Sequence, residues 1–124
     1  MEFPFEKLQV WQLSRALVKD VYTALEKFPQ TEKYALCSQI RRAIVSVPSN
    51  LAEGSSRFSN REKLHYIEIA FGSLMESICQ LIIAADMGFI SSEELAELKS
   101  KAQHIARLMS GLRVSLKRQV DGQE

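Results

Sequence analysis

Apolar residues in this chain return every third or fourth position, and that rhythm decides what it can fold into. The spacing keeps them on one side of an α-helix and is incompatible with the two-residue alternation of a half-buried strand. Leu64, Ile67, Phe71, Leu74, Ile78, Leu81 and Ala85 form the clearest run, with the heptad spacing of a packed seam. Leu95, Leu98, Ala102, Ile105, Met109, Leu112 and Leu116 repeat it, as do Cys37, Ile40, Ile44, Val47 and Leu51. The N-terminal stripe is broader: Leu8, Trp11, Val18, Val21, Leu25 and Phe28, widened by Leu13 and Leu17. The pattern predicts helices over residues 5–28, 31–54, 60–88 and 92–118, with 119–124 as a frayed tail. A chain of 124 residues is one domain by size, with 46% apolar residues to build its core. Connections this short place successive helices antiparallel, so the expected fold is all-α: an up-down-up-down, left-handed antiparallel four-helix bundle.

Punctuation supports those limits. Ser59 with Glu62, and Ser91 with Glu94, have the capping-box spacing at the starts of the third and fourth helices. Gly54 and Gly88 stand where a left-handed residue would end a helix, and Thr31 is placed to cap the second. Pro48 falls inside the second helix, where a missing amide and a ring against the Ile44 carbonyl predict a kink. Leu13, Leu17, Val45, Ile69 and Ile83 lie off the seams, and self-association is the economical way to cover them.

Catalytic chemistry finds little to build on, and the chain reads as a non-enzyme with no cofactor or metal. Glu62 and His65 have the spacing of a di-iron bundle motif, but His104 is preceded at that distance by Lys101. Ser55 and Ser56 follow Gly54 without the strand and the lysine of a phosphate loop. No local pattern ties a nucleophile to a base. Cys37 and Cys79 read as reduced thiols. The acidic, aromatic N-terminus lacks the form of a signal peptide, and the apolar run from Leu81 to Ala85 is too short to span a bilayer. The expected location is the cytoplasm.

The formal net charge of +1 gives no overall attraction to nucleic acid, but the charges are unevenly placed. An antiparallel bundle gathers Arg57, Arg61, Lys63, Arg113, Lys117 and Arg118 at one end, diluted by Glu53 and Glu62. The other end collects Glu26, Glu32, Asp86, Glu93, Glu94 and Glu97, offset by Lys27 and Lys33. The helix N-terminus at the basic end adds amide donors for phosphate. Arg41 and Arg42 sit in mid-helix, and Glu76 is the candidate partner for one of them across an interface or between helices. Gly72 and Ser73 would let that neighbour approach closely.

Several separated motifs resemble one family. They are Leu8-Gln9-Val10-Trp11; Phe28-Pro29 followed by Glu32 and Tyr34; and Gln39-Ile40-Arg41-Arg42-Ala43. Further on come Ser46 to Gly54, which carries Pro48, Asn50 and Glu53, and Ala70 to Glu76, which carries Gly72. In this order, over residues 5–116, the chain resembles the four-helix-bundle proteins encoded in intervening sequences of bacterial 23S rRNA genes. That resemblance implies a ring-like homopentamer and kinship with the accessory variability determinant of diversity-generating retroelements, whose pentameric bundles bind nucleic acid and a reverse transcriptase. This chain is nearly neutral where that branch is strongly basic, so a ring would have to pool its basic ends.

Two functional expectations follow. The first is a homo-oligomeric ring that binds RNA or DNA without catalysis, its pooled basic ends contacting phosphates through the six basic residues above. The second is a scaffold for a partner protein, in which Arg41 and Arg42 belong to a subunit interface.

Overall fold

The computed structural model describes residues 1–123. Its helices are α1 (Gln9–Leu25), α2 (Leu36–Ser55), α3 (Asn60–Asp86) and α4 (Ser92–Gln123), with single 3-10 turns at Pro4–Lys7 and Gln30–Glu32. Among the described residues there is no strand. Each helix packs on its neighbours in sequence, and α1 closes the bundle against α4. Cross-helix pairs show the directions. The Ser46 and Ser73 hydroxyls meet at 2.9 Å, Lys101 Nζ lies 2.8 Å from Asp20, and Arg113 lies 3.6 Å from Glu68. Gln39 with Gln80 adds a second contact between α2 and α3, and Lys27, just past the end of α1, with Glu94 a second between α1 and α4; in both interfaces the numbering rises on one helix as it falls on the other, so these helices run antiparallel.

Three boundaries differ from the sequence reading by four residues or more. α1 begins at Gln9 because Pro4 opens a separate 3-10 turn, in which the Glu6 carboxylate accepts the Phe3 amide at 2.7 Å. Leu8, in extended conformation, then divides the turn from the helix. α2 begins at Leu36, and Thr31 caps nothing. Pro29 instead starts a tight turn that uses its amides locally, from Glu32 to Pro29 O at 2.9 Å and from Ala35 to Glu32 O at 3.1 Å. At the other end, residues 119–123 continue α4, where Val120 is buried; Glu124 lies outside the described residues.

The two candidate helix-ending glycines play different parts. Gly88 has φ +79° and completes a Schellman motif, its own amide reaching Ala85 O at 3.0 Å and that of Phe89 reaching Ala84 O at 2.9 Å. Gly54 is inside α2 with ordinary helical backbone, so it is no left-handed stop. It is buried, and a Cβ there would lie 2.7 Å from the Cβ of Tyr66. The glycine therefore lets α2 and α3 come together. Gly54→Ala gains about 1 kcal/mol of helix propensity but forces two backbones apart, at a typical overpacking cost of about 1–3 kcal/mol. A net loss of about 1 kcal/mol, seen as a lower urea midpoint, is the expected result.

α2 continues through Pro48. Ser49 Oγ donates to Val45 O at 2.8 Å and Asn50 Nδ2 to Ser46 O at 2.8 Å, one and two residues past the Ile44 carbonyl that Pro48 leaves without its usual amide. Cys37, Ile40, Ile44, Val47 and Leu51 are all buried, as the α2 spacing requires. Ile67, Leu74 and Leu81 from α3, and Leu98, Ala102, Ile105 and Met109 from α4, face them. α1 departs from its expected stripe. Leu17, read as surplus, is 1% exposed and central, while Leu8 is exposed and Val10 and Ser14 are buried. The Ser14 hydroxyl is satisfied by donating to Val10 O at 2.7 Å, and buried Ser77 donates to Ser73 O at 2.8 Å.

Candidate nucleic-acid interface

The turn between α2 and α3 is held by side chains as well as backbone. Ser59 accepts the Glu62 amide at 3.1 Å, capping α3 and giving Glu62 a structural role. Arg57 reaches back to Glu53 at 3.1 Å, donates to the Tyr66 hydroxyl at 2.8 Å and lies 4.8 Å above the Tyr66 ring. These are the contacts of a clamp. Arg57 is therefore partly spent on fixing the turn.

At the same end, Arg113, Lys117 and Arg118 of α4 line one groove with Leu64 and Glu68 of α3. Leu64 is one helical turn from Arg61 and adjacent to Lys63, so the fold brings the predicted basic residues to one end of the bundle. Acidic partners temper that charge. Arg113 pairs with Glu68 and lies 5.2 Å over the Phe71 ring, and Lys117 pairs with Asp121 at 3.6 Å. Both ion pairs are exposed, where such pairs are worth about 0–1 kcal/mol and yield readily to a phosphate. Among the described residues, Lys63 and Arg118 have no ion pair.

The opposite end is tied by Lys27 to Glu94 and by Lys101 to both Asp20 and Glu97. Hydrogen bonding from Lys27, then from the Ser91 amide, holds the Glu94 carboxyl below its ordinary range. The Ser91–Glu94 capping box is present, with the Glu94 amide 3.0 Å from Ser91 Oγ.

The Arg–Glu pairing expected between α2 and α3 is not made. Arg41 donates to the Lys33 carbonyl at 2.9 Å, fastening α2 to the loop before it. Arg42 and Glu76 line one polar groove with Ser46, Ser73 and Gln80, yet among the described residues no ion pair joins Arg41, Arg42 and Glu76. Gly72 does not admit a neighbour within the chain either, since a Cβ there would meet open space. It belongs to an uncovered stripe on α3, with Ile69, Met75, Ile82 and Ile83 exposed alongside it. By length and composition α3 is apolar enough to cross a membrane, and a third of its most apolar stretch is buried in the bundle.

Among the described residues no three His, Cys, Asp or Glu side chains converge as metal ligands. His65 stands edge-on to Tyr66 at 5.5 Å between centroids. Cys37 is buried, and desolvation pushes its thiol up, whereas Cys79 is exposed. While the outer face of α3 is uncovered, alkylation is expected to modify Cys79 first and Cys37 only on unfolding, a difference that peptide mass spectrometry would read directly.

Sequence reasoning missed Tyr66, Glu68, Phe71 and Phe58 as parts of this end. Tyr66 and Phe71 looked like ordinary helical aromatics, because cation–π partners on another element leave no local pattern. Phe58 did carry a signal: it is an aromatic residue within the polar run Ser55-Ser56-Arg57-Phe58-Ser59-Asn60.

Four antiparallel helices, one basic end and an uncovered apolar face define this molecule as a four-helix-bundle protein. The chain belongs to the 23S rRNA-intervening sequence protein family, which matches residues 6–111. A protein of unknown function from the S23 ribosomal protein family of Bacteroides thetaiotaomicron, solved as a crystal structure, is similar in fold, with a TM-score of 0.76. It is 18% identical, over 84% of this chain and 97% of that one. No curated protein matches the chain.

Proposed function

We propose that this protein is a non-catalytic, cytoplasmic homo-oligomer, a pentamer as the family resemblance implies, that binds RNA or another nucleic acid through pooled basic ends. The observation that carries the reading is the convergence of Arg113, Lys117 and Arg118 on a groove beside Leu64 and Glu68, in the second and third turns of α3. Oligomerisation matters because one nearly neutral chain attracts a polyanion weakly, whereas several copies add their local charge. The exposed Ile69, Met75, Ile82 and Ile83 on the outer side of α3 support self-association, since several large apolar side chains exposed on one helix favour a partner.

Light scattering on a chromatographic peak, with absorbance at two wavelengths, gives mass and nucleic-acid content together. Titration of that peak with structured RNA at increasing salt then tests phosphate binding. An oligomer whose RNA affinity falls with salt supports the proposal, and an oligomer that binds no RNA at low salt overturns its nucleic-acid part. The alternative, a scaffold for another protein, draws on the same apolar stripe and on the acidic residues beside Arg57, Arg113 and Lys117. It predicts a nucleic-acid-free oligomer.

A further inference from the structure

We infer that Phe58 is a base-stacking residue, so that the basic end takes unpaired nucleic acid, single strands or loops, in preference to duplex. The inference rests on the nucleic-acid reading above and narrows it. Phe58 is 102% exposed, as open as a phenylalanine in an extended peptide, and contributes nothing to the core. It is nevertheless firmly presented. Arg57 on one side is clamped to Glu53 and Tyr66, and Ser59 on the other caps α3. The ring therefore projects from an anchored turn, with Arg61 and Lys63 on the next turn of helix.

An aromatic ring beside cations matches the two surfaces of a single strand. Unstacked bases lie on the ring while phosphates meet the lysine and arginine side chains. Duplex bases are already stacked on one another and offer the ring no face. A bilayer would need contiguous apolar surface to accept the tip, but Ser55, Ser56, Ser59 and Asn60 surround Phe58 in sequence with polar groups.

The test compares full-length protein with its Phe58→Ala and Phe58→Trp variants, using a labelled unstructured RNA, a duplex RNA of equal length, and phosphatidylserine vesicles. Stacking on one base is worth a factor of roughly 5 to 150 in affinity. Phe58→Ala should lose that factor for the unstructured RNA, leave duplex binding and thermal stability unchanged, and be rescued by Phe58→Trp. Unaltered binding of the unstructured RNA by Phe58→Ala would overturn the stacking role while leaving phosphate binding intact. Failure of the wild-type protein to bind either RNA would overturn both readings. Vesicle binding that depends on Phe58, without RNA binding, would assign the ring to lipid and likewise overturn the inference.

Discussion

Replacing Lys63, Lys117 and Arg118 together by alanine is expected to weaken RNA binding on the order of 100-fold at low salt, with little change in folding. Lys117 and Arg118 are exposed on the last turns of α4, and Lys63 is half-buried in the first turn of α3, so none supports the core. Each phosphate contact to a single strand adds about 0.7 to the slope of log affinity against log salt. Losing three per subunit should flatten that slope by about 2 for each subunit that engages the strand. The slope is the stronger check, because damaged folding would lower affinity without removing counterion release in this graded way. Arg57 makes a poor substitute in such a variant. Its guanidinium fixes the turn through Tyr66, so Arg57→Ala would mix a structural loss with an electrostatic one.

The largest stability effect should come from the middle of α3. Leu74 is fully buried, and Leu74→Ala is expected to cost about 2–5 kcal/mol, from lost transfer energy plus the cavity left behind. In a chain of this size that lowers the thermal midpoint by on the order of 10 °C. Ile83, on the same helix, is 46% exposed and gives the opposite contrast. Ile83→Ala should hardly change the stability of an isolated bundle, yet it should reduce the mass measured by light scattering if the α3 stripe joins subunits. Calorimetry and light scattering on the two variants thus separate the inner face of α3 from its outer one.

How much of this was legible beforehand depended on whether the decisive contacts were local. The large side chains of the α2 seam could be read because Cys37, Ile40, Ile44, Val47 and Leu51 repeat without interruption, while buried Ala43 and Gly54 escaped it. The α1 seam could not, since Ser14 stands at one of its most buried positions and a serine breaks an apolar pattern. Its hydroxyl is satisfied by its own helix, a solution invisible to hydropathy. Capping boxes were legible for the same reason that α2 was: Ser59 and Glu62, like Ser91 and Glu94, meet within one turn. Glycine was harder. Gly54 and Gly88 look alike in sequence, but one answers to a neighbouring helix and the other to its own φ angle. At the candidate site the gathering of basic residues followed from antiparallel order alone. Their acidic partners, and the hold of Tyr66 on Arg57, depended on distances between helices that periodicity does not contain.

The contact between Gly54 and Tyr66 has a consequence for how the chain finds its alignment. Heptad seams are nearly degenerate: sliding α3 along α2 by seven residues returns apolar positions to apolar positions. Such a slip would carry Tyr66 from Gly54 to the level of Val47, where a branched side chain already fills the space. A missing side chain at one point thus acts as a notch, and the tyrosine backbone as the key that fits only there. The bundle is told where to stop sliding by the one residue that offers no attraction of its own.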